Sequence, residues 1–433
     1  MKLKDTAFTV RAERAILFSV MLPDDYVDGE EPLEELQRLA ETAGAKVVHS
    51  IVQKRASIDP VYYIGKGKAN ELAEISEELD VDVLICDDDL SPSQVRNLEK
   101  VINKKVIDRS ELILDIFATR AKTFQAKLQV ELAQLEYTKS RLKRMWTHLS
   151  RIEGGIGTRG PGEKQLEVDK RIVARKIQYL RRKLSEIEKR QERLVASRKE
   201  FFTVSIVGYT NAGKSTLMNA LTEIDTFVED KLFATLDTKT SVCKLENGQK
   251  FLVSDTVGFI KKLPHHLISS FKATLEESRH ADLLLHVVDI SSPIVHKQIE
   301  SVNTVLKELG CDKKPTIMVF NKIDAVKDES IAPLLRNHYK DCILISAKTN
   351  QGIQDLKRKI IETIERNFID IELSCSSANG KLIAYLHEHA RILSSKFDEE
   401  RATFRLLMED KFVNKLRILD DGLQIKETAE RSI

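Results

Sequence analysis

Gly208-Tyr209-Thr210-Asn211-Ala212-Gly213-Lys214-Ser215 is a G-x-x-x-x-G-K-[ST] pattern, preceded by the apolar run Val204 to Val207. A helical pattern opens behind it, from Thr216 to Leu221. Glycines let the backbone wrap closely around phosphates, so that successive N–H groups and a helix N-terminus donate to them. Lys214 supplies a point charge for the β- and γ-phosphates, and the Ser215 hydroxyl suits Mg²⁺. Taken alone, the pattern competes with a chance glycine-rich strand-to-helix turn.

Four further segments follow in the order that a GTP-binding domain requires. Asp255-Thr256-Val257-Gly258 comes after the apolar run FLVS; a carboxylate at a strand end can hold Mg²⁺, and the Gly258 N–H can reach a γ-phosphate. Upstream, Phe233-Ala234-Thr235-Leu236-Asp237 offers the Thr235 hydroxyl to the same ion and phosphate. Several threonines lie nearby, which makes Thr235 the least secure of these assignments. Two loops that sense one phosphate would be released together on hydrolysis. Base specificity falls to Asn321-Lys322-Ile323-Asp324, since the Asp324 carboxylate accepts from N1–H and the 2-amino group of guanine. Adenine offers neither donor, and the unpaired carboxylate would cost at least about 1–3 kcal/mol. Ser346-Ala347-Lys348, after the run CILI, would bring the Ala347 N–H to the guanine O6. Each motif is weak by itself; the ordered set of five specifies a Mg²⁺-dependent GTPase domain.

Two positions bear on the hydrolysis step. Phe259 stands where Ras-like switches place a water-orienting glutamine, so intrinsic turnover is expected to be slow and raised by a partner or another positioning group. Asn211 stands where potassium-using GTPases place a K⁺ ligand. His265 and His266 offer general bases on paper, but such residues more often belong to a switch helix that meets a partner.

The elements that must position these groups emerge from periodicity. Residues 1–109 alternate strand-like runs (15–22, 45–53, 81–89, 104–108) with helical patterns (32–44, 67–79, 91–102), which predicts a parallel α/β domain. Residues 110–200 change to long helices: Leu166, Val173, Leu180, Ile187 and Leu194 recur every seven positions, a coiled-coil-like seam for a helical hairpin arm. Residues 164–199 hold thirteen Lys/Arg against five Asp/Glu, which suits either a solvated face or contact with nucleic-acid phosphates. The loop between the helices places five glycines within 154–162, flanked by Arg151, Arg159 and Lys164; close approach to RNA or phosphate competes there with a purely structural loop. Residues 201–366 read as a Ras-like doubly wound sheet, and 367–433 as a small α+β unit with strands at IDIELS and ATFRLLM and helices near 380–395 and 412–419.

Composition bounds the rest. A net charge of +2 confines polyanion binding to local patches. No run of 18 apolar residues predicts a membrane span, the N-terminus lacks an apolar signal segment, and the five scattered cysteines read as reduced thiols, so a cytoplasmic protein is expected. A monomer is the simplest expectation.

Three long stretches, 106–137, 154–169 (GGIGTRGPGEKQLEVD) and 255–277, resemble the HflX family of GTPases, as does YYIGKGKANEL at 62–72. One departure is Asp237-Thr238-Lys239 where the family usually has Asp-Pro-Thr, which should loosen the loop after Thr235. The resemblance implies a GTPase that binds the 50S ribosomal subunit and, with GTP, splits stalled or idle 70S ribosomes under stress, its N-terminal domain and arm meeting rRNA. Some members also hydrolyse ATP, so an ATP-dependent RNA-remodelling factor is the alternative. Gly65-Lys66-Gly67-Lys68 is its candidate phosphate loop, against a simple strand-to-helix turn.

Overall fold

A computed structural model describes residues 12–23, 33–149, 161–196, 201–222, 232–233, 239–245, 250–261, 277–326, 331–339, 342–365, 368–409, 413, 416 and 423–427. The first sheet contains β1 (Arg14–Met21), β2 (Lys46–Lys54), β3 (Val83–Cys86) and β4 (Lys105–Asp108) in the order β2-β1-β3-β4, every pair parallel. Helices cover both faces, as apolar parallel strands require. Ala15, Leu17, Val83 and Ile85 turn towards α1 (Glu34–Thr42) and α4 (Arg109–Arg120). Ile16, Phe18 and Leu84 turn towards α2 (Lys66–Glu78) and α3 (Pro92–Ile102). The start of α3 is a capping box: Ser91 Oγ accepts from the Gln94 N–H at 3.3 Å and the Gln94 side chain accepts from the Ser91 N–H at 2.9 Å.

In the arm, α5 (Phe124–Leu149) and α6 (Pro161–Ala196) pack along Leu128, Leu132, Ile177, Leu180 and Leu184. Lys176–Glu131 and Arg181–Glu136 ion pairs bridge the two helices. Helix α6 begins at Pro161, so Gly162 and Lys164, expected in the glycine-rich loop, are helical; proline suits a first helical position, whose N–H has no partner anyway. Residues 150–160 of the glycine-rich loop lie outside the described residues, as do the side chains of Leu166 and Leu194 at the ends of the seven-residue pattern.

A six-stranded sheet follows, ordered β10-β9-β8-β5-β7-β6: β5 (Phe202–Gly208), β6 (Lys239–Lys244), β7 (Lys250–Asp255), β8 (Leu283–Asp289), β9 (Thr316–Asn321) and β10 (Cys342–Leu344). All pairs are parallel except β6–β7. Helix α7 (Lys214–Thr222) follows β5 directly.

The final unit is an antiparallel sheet, β12-β13-β11-β14, with the helix Gly380–His389 packed on it. β11 is Phe368–Ser376, β12 Ala390–Phe397, β13 Arg401–Glu409 and β14 Gln424–Glu427. Here the sequence expectation fails in two places: β14, paired with β11, was not anticipated, and a helix ends early. The helix expected to run to Ser395 stops at His389, and the remaining residues form β12 against β13. Cross-strand pairing closed by Asp398 N–H to the Arg401 carbonyl, with Phe397 edge-on to Phe404, overrides a helical pattern in the local sequence.

Among the described residues, no helix is long and apolar enough to cross a membrane. All five cysteines are free thiols.

Candidate active site

The ends of β5, β7, β8 and β9 lie on one edge of the second sheet, the usual edge for ligands in open α/β sheets. The turn after β5 depends on two glycines. Gly208 has φ +152°, and a Cβ there would sit 2.2 Å from the Val287 carbonyl oxygen. Gly213 has φ +90°, and a Cβ would meet Asn321 Nδ2 at 2.2 Å. Any side chain at either position would push the phosphate loop off the sheet.

Lys214 Nζ folds back over this loop and donates to the Tyr209 carbonyl at 2.7 Å. Burial lowers the pKa of this amine to about 8, against the opposing pull of Asp255. Ser215 Oγ donates to Asp255 Oδ2 at 2.6 Å, so a hydroxyl and a carboxylate oxygen share one small space. That pair fits magnesium, a hard cation that takes one or two protein oxygens beside nucleotide phosphates. Among the described residues no group of three His, Cys, Asp or Glu could hold a metal by itself. Thr235, with Ala234, Leu236 and Asp237, lies outside the described residues, as do His265 and His266.

Thr256 is fully buried and donates to the Ile206 carbonyl at 2.7 Å, anchoring the chain before it turns. Val257 is buried as well. Gly258 comes close to the phosphate loop: a Cβ on it would lie 2.8 Å from both Lys214 Nζ and Thr210 Cγ2. Phe259 then pairs with the loop, its N–H donating to Gly208 at 3.1 Å and its carbonyl accepting from Thr210 at 2.7 Å. Its ring is buried among residues of both sheets. The phenyl group at this position is therefore a packing residue.

Asn321 joins the base-recognition segments to the phosphate loop. Its Nδ2 donates to Ala212 at 2.9 Å and its Oδ1 accepts from the Ala347 N–H at 2.9 Å. Lys322, at φ +68°, pairs with Asp289 at 2.6 Å. Ile323 and Asp324 lie on a short 3-10 turn, with the Asp324 carboxylate exposed. Ser346 is buried and Lys348 exposed. Asn211, at φ +60°, lines a cleft of about 180 Å³ with Tyr209, Thr210, Asp289, Glu34 and Glu35.

The last two of those residues come from α1 of the first sheet. The sequence patterns gave no sign of this contact, nor of Arg109, which joins it from the end of β4. One clue was present: Arg109 follows a strand end, where parallel sheets place functional groups. Gly65 caps α2 in extended conformation and Lys66 to Lys68 form its first turn.

Comparison with known proteins agrees with this geometry. Residues 203–322 match a family model described as "50S ribosome-binding GTPase". Residues 30–118 and 120–198 match models for a GTP-binding GTPase N-terminal and middle region. The chain is 46% identical over 392 residues to "GTPase HflX" of Lacrimispora saccharolytica, covering 90% of this chain and 92% of that protein. It is 41% identical over 391 residues to "GTPase HflX" of Escherichia coli strain K12, covering 90% and 91%. A solved GTP-binding protein from Sulfolobus solfataricus in complex with GDP is 25% identical, with 81% of this chain and 98% of that one covered and a TM-score of 0.44. With that identity spread over nearly the whole length of its relatives and a GTP-binding domain at its centre, the chain belongs to the HflX family of GTPases and hydrolyses GTP to GDP and phosphate.

Proposed function

We propose that this GTPase binds the large ribosomal subunit and, loaded with GTP, separates stalled or idle 70S ribosomes in the cytoplasm, hydrolysis then permitting release. One observation carries the reading: a single apolar core contains Tyr209, Phe233 and Phe259 from the nucleotide loops and Ile113, Phe117, Val130 and Ala133 from α4 and the base of α5. Phe117 meets Phe233 edge-on at 4.7 Å between ring centres. A movement of either nucleotide loop therefore strains the packing at the root of the basic arm, since close-packed interiors do not deform continuously. The excess positive charge of α6 and the glycine-arginine loop supplies the rRNA contact in this reading.

Within the site, backbone N–H groups of 211–216 and Lys214 hold the phosphates, and Asp324 reads guanine, the Ala347 N–H being shared between Asn321 Oδ1 and the guanine O6. Ser215, Asp255 and Thr235 would hold Mg²⁺, which would supply neutralising charge to the phosphates. Gly258 donates its N–H to the γ-phosphate. Asn211 is the candidate K⁺ ligand, a substitute for the charge of an arginine finger. The test is GTP turnover and sedimentation with 50S and 70S particles. Stimulated turnover, together with 70S dissociation in a non-hydrolysable GTP analogue but not in GDP, is expected. Ribosome attachment that ignores the nucleotide would overturn the reading. ATP-driven RNA unwinding that survives Lys214→Ala would favour the remodelling alternative.

A further inference from the structure

The main chain of Lys261, three residues beyond Gly258, is held from two sides. Its N–H donates to the Tyr209 phenol oxygen at 2.6 Å, and its carbonyl accepts from Arg109 Nη2 at 3.0 Å. Tyr209 belongs to the phosphate loop, whereas Arg109 opens α4 under the first sheet. Glu35, in the first turn of α1, connects the two: one carboxylate oxygen accepts from the Tyr209 hydroxyl and the other from Arg109. Asp87, just past β3, accepts from the other arm of the guanidinium at 2.6 Å.

Arg109 is only 3% exposed and Tyr209 6%. Burial alone would make the guanidinium easier to deprotonate; the Glu35 and Asp87 carboxylates outweigh it and hold the charge in place. A guanidinium fork has fixed geometry, so the same group that pairs with Glu35 and Asp87 also sets where the Lys261 carbonyl must lie. Two residues upstream, Phe259 is bonded to Gly208 and Thr210. The segment between Gly258 and Lys261 is thus fastened at both ends, and Gly258 lies so near the phosphate loop that a Cβ on it would be 2.8 Å from Lys214 Nζ.

We propose that Arg109 and Glu35 are positioning residues for the γ-phosphate contact. Acting through Tyr209 and the Lys261 main chain, they hold Gly258 against the phosphate loop, an arrangement that a triphosphate uses and a diphosphate does not. The inference rests on the proposed role of Gly258 as the γ-phosphate donor. Linkage makes the effect reciprocal: a γ-phosphate tightens the first sheet's grip on the GTPase sheet by the same factor.

The test measures the affinity of the full-length chain for GDP and for a non-hydrolysable GTP analogue, with Arg109→Ala, Arg109→Lys and Glu35→Gln variants. Arg109→Ala should weaken analogue binding by at least about fivefold while GDP binding changes by less than about twofold. Arg109→Lys, which keeps the charge but loses the fork, should fall between, and Glu35→Gln should shift the ratio in the same direction. A purely structural interface would lower the melting temperature and leave the ratio unchanged, which overturns the proposal. Equal weakening of both nucleotides overturns it too. Should Arg109→Ala fail to fold, Glu35→Gln preserves the side-chain size and decides the question by the same ratio. Gly258→Ala separates the two layers. If it selectively loses the analogue while the Arg109 and Glu35 variants keep the wild-type ratio, only the positioning role falls; if it leaves the analogue unaffected, the role of Gly258 falls as well.

Discussion

Asn321 Nδ2 donates to the Ala212 carbonyl at 2.9 Å, tying the end of β9 to the middle of the phosphate loop. Its other amide atom accepts from Ala347, so one buried side chain holds two loops in register. Asn321→Ala leaves both partners unsatisfied in the interior, at a cost of about 1–3 kcal/mol each. A lower melting temperature together with weaker GDP and GTP binding is expected, read by calorimetry on both states. Normal affinity in a destabilised protein would separate the two loops energetically.

Asp324 is exposed on its 3-10 turn, accessible to a base from solvent. Replacing it with Asn converts one acceptor oxygen into a donor. Asp324→Asn should lose GTP and gain xanthosine triphosphate, measured by competition for the same site. Unchanged GTP affinity would remove guanine recognition from this residue.

Lys214 titrates from about 8 in the fold, below its ordinary value of 10.5, because it is buried. Between those values the unfolded chain binds more protons than the folded one, so this group makes stability rise with pH over that window. Nucleotide binding runs the other way, since a phosphate needs the protonated amine: affinity should decline as pH climbs past about 8. Lys214→Met should flatten the alkaline stability gain and abolish the pH-dependent part of binding. Urea titrations and nucleotide titrations from pH 7 to 10 provide the readout.

His286, buried on β8, is pushed down to about 4 by burial and by the nearby Lys214 charge. Its unfolded form takes up a proton near 6.5, so the contribution to stability is complete above that value and is lost as pH falls towards 4. His286→Gln should make the acid limb shallower, as followed by circular dichroism. An identical acid midpoint would assign the loss to other groups.

Asn211 sits at φ +60° on the wall of the cleft beside Asp289. Turnover should be faster in K⁺ than in Na⁺, and Asn211→Ala should erase the difference while retaining GTP binding. Equal rates in the two salts for the wild-type chain would dismiss the ion.

Much of this molecule was legible locally. G-x-x-x-x-G-K-S needs a strand behind it and a helix ahead, and β5 and α7 stand there because short-range periodicity and glycine conformation act within a few residues. The parallel α/β pattern of residues 1–109 was equally plain, since each crossover helix carries its own apolar stripe. Helix and strand were confused at 390–395, where the deciding partner, β13, lies across a hairpin. Phe259 could be read only as the lack of a glutamine; its actual place, in a core shared by two sheets, depends on residues more than a hundred positions away. Glu35, Arg109, Tyr209 and Lys261 likewise share no spacing that a sequence pattern can express. Amino-acid order determines which groups can bind a phosphate, because that chemistry is built from neighbouring backbone amides. Which distant side chains steady those groups was decided by the tertiary structure, because burying a charge demands partners from wherever the fold can bring them.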